Sequence, residues 1–261
     1  MKPFEPLKVF AVNKDLKATA LDLGNGDKAI IIDGFYENPE AVRDLCLESP
    51  APIWKHRDGS QNGISYWDCR QQWHFFDTPP FLKVISDLVV DHFGVDVDRA
   101  RTTRAFTTNL FRWNVDQPPG SIGNVAHYDG VKVMAANIYL NLPSEAHGGT
   151  AIYRSRHSGQ PRIFAREYLL RKAAPEQFPY LNEDGLCYYA LDWQEHWELA
   201  YLLEMKFNRL VLYPGYMYHG AYHVDNAFRQ YPRITQTCFI DCTEVPNQQR
   251  FLLGGDALHE S

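Results

Sequence analysis

From residue 101 onward the chain breaks into short segments rich in Thr, β-branched and aromatic residues, each bounded by Gly, Pro, Asn or Asp. "RTTRAFTTNLFRW", "VKVMAANIYLNL", "GGTAIYRS", "NRLVLYPG", "MYHGAYHV" and "RITQTCFIDC" follow one another in that order. Such side chains suit a pleated, half-buried surface, and such turn residues interrupt it. The pattern predicts strands joined by turns and packed as an antiparallel sandwich or barrel. The exception is 160–207. There "AREYLLRKAAPEQF" and "QEHWELAYLLEMK" predict helices, so this stretch is expected as a helical insertion between two strands.

The first hundred residues differ. "KAIIID" at 28–33 reads as a short strand. In "YENPEAVRDLCLESP", Pro39 stands near a helix start, and Val42, Leu45 and Cys46 recur at helical spacing until Pro50. "TPPFLKVISDLVVDHFG" predicts a second helix, opened by Pro79 and Pro80, striped by Leu82, Ile85, Leu88 and Val89, and closed by Gly94. Residues 51–78 show no clean period and read as irregular chain or short strands. No repeat or low-complexity linker divides the chain. It reads as one domain, 1–261: an N-terminal flanking region to residue 100, a β core at 101–242, and a tail from 243.

Composition limits the partners. A net charge of −6 with no basic run argues against nucleic acid. No uncharged apolar run approaches the roughly 20 residues of a membrane span. "MKPFEPLKVFAVNKD" lacks the apolar stretch of a signal peptide, and the five cysteines include no C-x-x-C. Reduced thiols and a cytoplasmic location are the expectation. Aromatics at 14% suit β-structure and a lined cavity that takes a small-molecule or peptidyl substrate.

"VAHYDGVKV", residues 125–133, carries a histidine and an aspartate two apart. In extended chain they share a face and can grip one metal ion. The pair alone decides nothing, since about 0.7 H-x-D occurrences are expected by chance in such a composition. Three are present: His56–Asp58, His127–Asp129 and His223–Asp225. Context separates them. Ten residues beyond Asp129 comes Tyr139-Leu140-Asn141, followed by Gly148-Gly149-Thr150, where a strand can start close to a neighbour. His219 follows Pro214 by five residues, and Arg233-Ile234-Thr235 opens the last β segment fourteen residues later. The other two pairs lack such a series.

That order resembles the Fe(II)/2-oxoglutarate-dependent dioxygenases, especially their prolyl-hydroxylase-like branch. The likeness spans about 101–242, by order of motifs more than by identity. It implies a mainly β (α+β) fold, a double-stranded β-helix or jelly roll, with N-terminal helices packed outside it. It implies that His127, Asp129 and His219 bind Fe(II), leaving an open face for O2 and the keto-acid end of 2-oxoglutarate. Arg233 would take the distal carboxylate with its charged fork, helped by the Thr235 hydroxyl and the Tyr139 phenol. His223 is the rival distal ligand; the Y-P-x-x-x-x-H turn favours His219. Family members that halogenate replace the carboxylate, and Asp129 is kept, which favours hydroxylation. Two other readings stand beside it. One is a zinc-dependent hydrolase-like enzyme, which gives Arg233 and Thr235 no task. The other is a non-catalytic jelly-roll binding protein, whose mark would be a missing ligand.

Overall fold

Alternation and turn chemistry set the β elements, and packing against helices completes them. A computed structural model describes residues 6–48, 70–74, 79–97, 106–111, 126–156, 158–163, 196–222, 228, 231 and 233–246. A short helix α1 (Pro6–Val9) precedes strands β1 (Ala18–Gly24) and β2 (Asp27–Asp33). Helix α2 (Pro39–Glu48), strand β3 (Arg70–His74), helix α3 (Pro79–Phe93) and strand β4 (Phe106–Phe111) follow. The remaining strands are β5 (Val133–Tyr139), β6 (Gly149–Ser155), β7 (Trp197–Glu204), β8 (Arg209–Pro214), β9 (His219–Tyr222) and β10 (Arg233–Asp241).

Two sheets result. The larger has the order β1-β2-β8-β5-β10-β4-β3 and the smaller β7-β6-β9. From β5 the chain passes from the larger sheet to β6 and β7 in the smaller, back to β8, across to β9, and back to β10. A bridge between His127 and His219 adds the segment before β5 beside β9. The core of the larger sheet, β4-β10-β5-β8, therefore faces a ribbon of 126–127, β9, β6 and β7. This is the double-stranded β-helix that the sequence led us to expect.

Each sheet face has its own job. On β5, Met134, Ala136 and Ile138 point outward with Leu210, Leu212, Ile234, Cys238 and Ile240. They bury Val42 and Cys46 of α2 and Phe81, Ile85 and Val89 of α3. Phe81, Ile85 and Val89 are four apart and so form one helix stripe. Each such side chain removed from water contributes about 1.5–3 kcal/mol. The two predicted helices thus pack outside the sheet. The alternate residues of the same strands face inward: Thr235 pairs with Tyr139, Thr237 with Asn137, and Ala135 with Tyr213. They meet Thr150 of β6 directly, between the two sheets.

One expectation fails. Within "QEHWELAYLLEMK", expected as a helix, Trp197–Glu204 is strand β7, antiparallel to β6. Its Leu, Glu and Ala favour helix locally, but strand pairing overrides that weak preference. A bulge hides the alternation as well. Ile152 pairs with Tyr201 and Tyr153 with Leu199, so Ala200 has no opposite number. Strand β1 carried little apolar signal because its first residues are exposed at the sheet edge. The other expected helix of the insertion, 165–178, lies outside the described residues. No helix among the described residues is long and apolar enough to cross a membrane.

Candidate metal centre

Backbone pairing brings the two histidines together. His127 N–H donates to the His219 carbonyl at 2.9 Å, and His219 N–H donates to the His127 carbonyl at 2.8 Å. Their rings stand 4.4 Å apart between centroids. Asp129 is fixed two residues on, where its N–H donates to the Gly215 carbonyl at 2.8 Å. Gly215 in turn donates to the Val133 carbonyl at 2.6 Å. A Cβ on Gly215 would lie 2.8 Å from that carbonyl oxygen, so the turn admits no side chain here.

The result is a convergent donor set. His219 Nε2 lies 3.2 Å from Asp129 Oδ2, and His127 Nε2 lies 3.7 Å from Asp129 Oδ1. One ligand atom from each residue falls within 4.8 Å of the others. His219 Nδ1–H donates to the Met217 carbonyl at 2.9 Å, which leaves the Nε2 lone pair of the neutral ring for a cation. Asp129 Oδ2 is buried without a hydrogen-bond partner. An orphaned carboxylate oxygen beside two imidazole nitrogens fits a divalent cation such as iron or zinc. Side-chain exposure grades from 6% at His219 and 12% at Asp129 to 38% at His127, so the group opens on the His127 side.

The electrostatics agree. Burial opposes ionisation of Asp129, but the His219 and His127 imidazoles outweigh it and hold the carboxyl below its ordinary value. Burial likewise opposes a charge on His219, yet the Asp129 carboxylate and the Met217 carbonyl raise its pKa.

Farther along the same inner face lie Arg233, Thr235 and Tyr139. Arg233 is 4% exposed; its guanidinium stands over the Tyr139 ring, 5.8 Å from the centroid, and Nη2 donates to the Gly149 carbonyl at 3.3 Å. Thr235 Oγ1 is buried without a hydrogen-bond partner. The Tyr139 hydroxyl shares a 2.7 Å hydrogen bond with Thr150 and lies 3.3 Å from the Leu203 carbonyl. Gly149 permits the approach of β6 to β7: its φ of 151° and the Leu203 carbonyl beside it exclude a Cβ.

Between the two groups runs a polar path. The Tyr213 ring stands edge-on to His219 at 4.9 Å between centroids, and Asn137 Nδ2 donates to the Tyr213 oxygen and to Thr150 Oγ1, each at 3.2 Å. Tyr213, Asn137 and Thr150 were not singled out from the sequence. The signal was there, because they keep step with Tyr139 and Thr235 by strand alternation. The β8–β9 turn is braced from behind. Arg162 donates to Asp27 at 2.8 Å, Tyr216 donates to the other Asp27 oxygen at 2.7 Å, and Ile163 N–H donates to the Tyr216 carbonyl. Tyr128, Tyr216 and Tyr218 are buried core residues. His223, Asp225, His56 and Asp58 lie outside the described residues. Cys46, Cys238 and Cys242 are buried, and burial pushes the Cys238 thiol up to about 12.

No curated protein matches the chain. Solved structures similar to it include the epimerase SnoN in complex with Fe3+, alpha ketoglutarate and nogalamycin RO. That match has 12% identity and a TM-score of 0.48, and covers 82% of this chain and 79% of that one. Another is the non-heme alpha ketoglutarate dependent carbocyclase SnoK from nogalamycin biosynthesis, at 14% identity and a TM-score of 0.46, covering 90% and 87%. At such identity and overlap the chemistry rests on this chain's own residues. A family model described as a family of unknown function (DUF6445) matches residues 14–236, a span that holds all six residues of the metal-binding and Arg233 groups, and the chain belongs to that family.

Proposed function

We propose that the protein is a non-haem Fe(II)/2-oxoglutarate-dependent oxygenase that hydroxylates an unactivated C–H of an amino acid, peptide or small metabolite, releasing succinate and CO2. The observation that carries this reading is the pairing of two groups between the same two sheets. His127, Asp129 and His219 offer a facial donor set, and Arg233 with the unpartnered Thr235 hydroxyl waits on the same inner face. A metal hydrolase would use the first group and leave the second without a purpose. The order of motifs supports the prolyl-hydroxylase-like branch.

His219 binds through Nε2, with the Met217 carbonyl holding the ring. Asp129 supplies the carboxylate and His127 the second imidazole at the open side. Bound there, ferrous iron supplies activation of O2 coupled to oxidation of 2-oxoglutarate. Arg233 and Thr235 bind the distal carboxylate of that cosubstrate, and the Tyr139 ring supports the guanidinium face. The buried aromatic walls, Tyr213 among them, keep water from the reacting centre.

The test is anaerobic loading with Fe(II), addition of 2-oxoglutarate, then O2, with succinate measured against a metal-free control. Succinate formation and a visible absorption band on mixing protein, Fe(II) and 2-oxoglutarate are expected. Preferential retention of zinc with no succinate across amino-acid, peptide and small-metabolite substrates would point to the hydrolase. Tight ligand binding without turnover would point to a binding protein.

A further inference from the structure

Asn137 lies at the centre of the inner face, and its hydrogen bonds have a direction. Thr237 Oγ1–H donates to Asn137 Oδ1 at 2.8 Å, which turns the amide oxygen toward β10. The amide nitrogen then faces Thr150 and Tyr213, and donates one proton to each. An amide has two N–H donors, so both are used.

The direction passes outward. Tyr213 accepts from Asn137, so its own O–H must find another acceptor. None exists among the described residues, although Tyr213 is only 1% exposed. Thr150 also accepts from Asn137 and can turn its proton to the Tyr139 oxygen at 2.7 Å. Tyr139 then keeps its own proton, with only the 3.3 Å contact to the Leu203 carbonyl to receive it. Tyr139 thus gives its proton to that carbonyl, whereas the buried Tyr213 phenol is polarised as a donor with no acceptor among the described residues. A buried donor left unpaired costs about 1–3 kcal/mol, a cost that a bound acceptor removes. Tyr213 also stands against His219, and the charges of Asp129 and Arg233 both act on its phenol. Through Asn137 and Thr150 its hydroxyl is linked to Tyr139, over whose ring the Arg233 guanidinium stands.

We propose that Tyr213 donates a hydrogen bond from its phenol to the metal-chelating end of the keto-acid cosubstrate. Asn137 is a positioning residue: by donating to the Tyr213 oxygen it keeps that phenol aimed as a donor at that anion. The inference rests on the oxygenase reading above. It explains why an amide, rather than an aliphatic side chain, occupies the centre of an otherwise apolar strand.

The experiment is calorimetric titration of 2-oxoglutarate into Mn(II)-loaded protein, with Mn(II) affinity and thermal midpoint measured alongside. Tyr213→Phe keeps the ring against His219 and is expected to weaken 2-oxoglutarate about tenfold or more, the worth of one hydrogen bond to a charged group. Mn(II) affinity should not change. Asn137→Asp replaces the donor by an acceptor that captures the Tyr213 proton, and should weaken the ligand further. Its effect should shrink in the Tyr213→Phe background, a coupling that a merely structural role would not produce. Should Asn137→Asp fail to fold, Tyr213→Phe still decides the matter. Unchanged 2-oxoglutarate affinity in Tyr213→Phe, or a parallel loss of Mn(II), overturns the role of Tyr213. Strict additivity overturns that of Asn137. Wild-type protein that takes Mn(II) but not 2-oxoglutarate overturns the oxygenase reading itself, and this inference with it.

Discussion

His127 and His219 exchange both of their backbone hydrogen bonds, N–H to O=C, at 2.9 and 2.8 Å. Their imidazoles meet because their peptides are paired, not because a loop happens to fold over. The same pairing runs on to Asp129 through the Gly215 carbonyl. The two imidazoles are therefore held by strand-type pairing, which fixes side-chain positions more firmly than a free loop does.

The pH response of the site has a definite sign. In the metal-free protein, burial works against a charged His219, but Asp129 and the Met217 carbonyl prevail and raise its pKa. That contact therefore stabilises the fold fully below the ordinary imidazole value, and the contribution is lost as pH rises through the raised value. Asp129 runs the other way. Burial notwithstanding, the two imidazoles lower its pKa, so its contribution is present above the ordinary carboxylate range and lost as pH falls through the lowered value. A metal ion must displace the His219 proton. The gap in thermal midpoint between metal-loaded and metal-free protein should narrow steadily as pH is lowered from 8 to about 5.5. A gap that widens would contradict ligation through His219.

Arg233→Lys tests the distal end. Lysine keeps the charge but loses the planar fork, so 2-oxoglutarate should bind about tenfold or more weakly. Metal affinity, set by His127, Asp129 and His219, should hold. Equal cosubstrate affinity in the variant removes Arg233 from the site.

Gly215→Ala probes the link between turn and metal ligand. The new methyl would press on the Val133 carbonyl, the acceptor of the Gly215 N–H. Overpacking of this kind costs about 1–3 kcal/mol. The displaced Gly215 carbonyl would also release the Asp129 N–H. Denaturant melts and metal titration should both register the change, stability and affinity falling together.

Arg162→Leu removes the guanidinium that neutralises buried Asp27 behind the β8–β9 turn. Breaking a buried pair from one side costs about 3–5 kcal/mol. Changing Asp27 to Leu as well should recover part of that loss, since no lone charge is then left inside. Urea unfolding of the two variants makes the comparison; a double variant less stable than Arg162→Leu would refute the account.

Much of this protein could be read from the chain alone. Turn-bounded runs of Thr, Val, Ile and aromatics set the strands from β5 to β10, except β7. Periodic apolar residues between prolines and a glycine set α2 and α3. These are local signals, carried by neighbours in sequence, and H-x-D two apart is local too. What local signals cannot hold is pairing across the chain. Trp197–Glu204 reads as a helix until β6 lies beside it, because only the partner strand outweighs the helix preference of Leu, Glu and Ala. Nor could the sequence say that His219 reaches Asp129, since ninety residues separate them and register alone decides which face each side chain takes. In the sequence alone, nothing distinguishes Asn137 and Tyr213 from filler in apolar strands. Only the tertiary structure, by setting β5 against β8 and β10 and facing them with β6, turned that filler into a directed chain of hydrogen bonds.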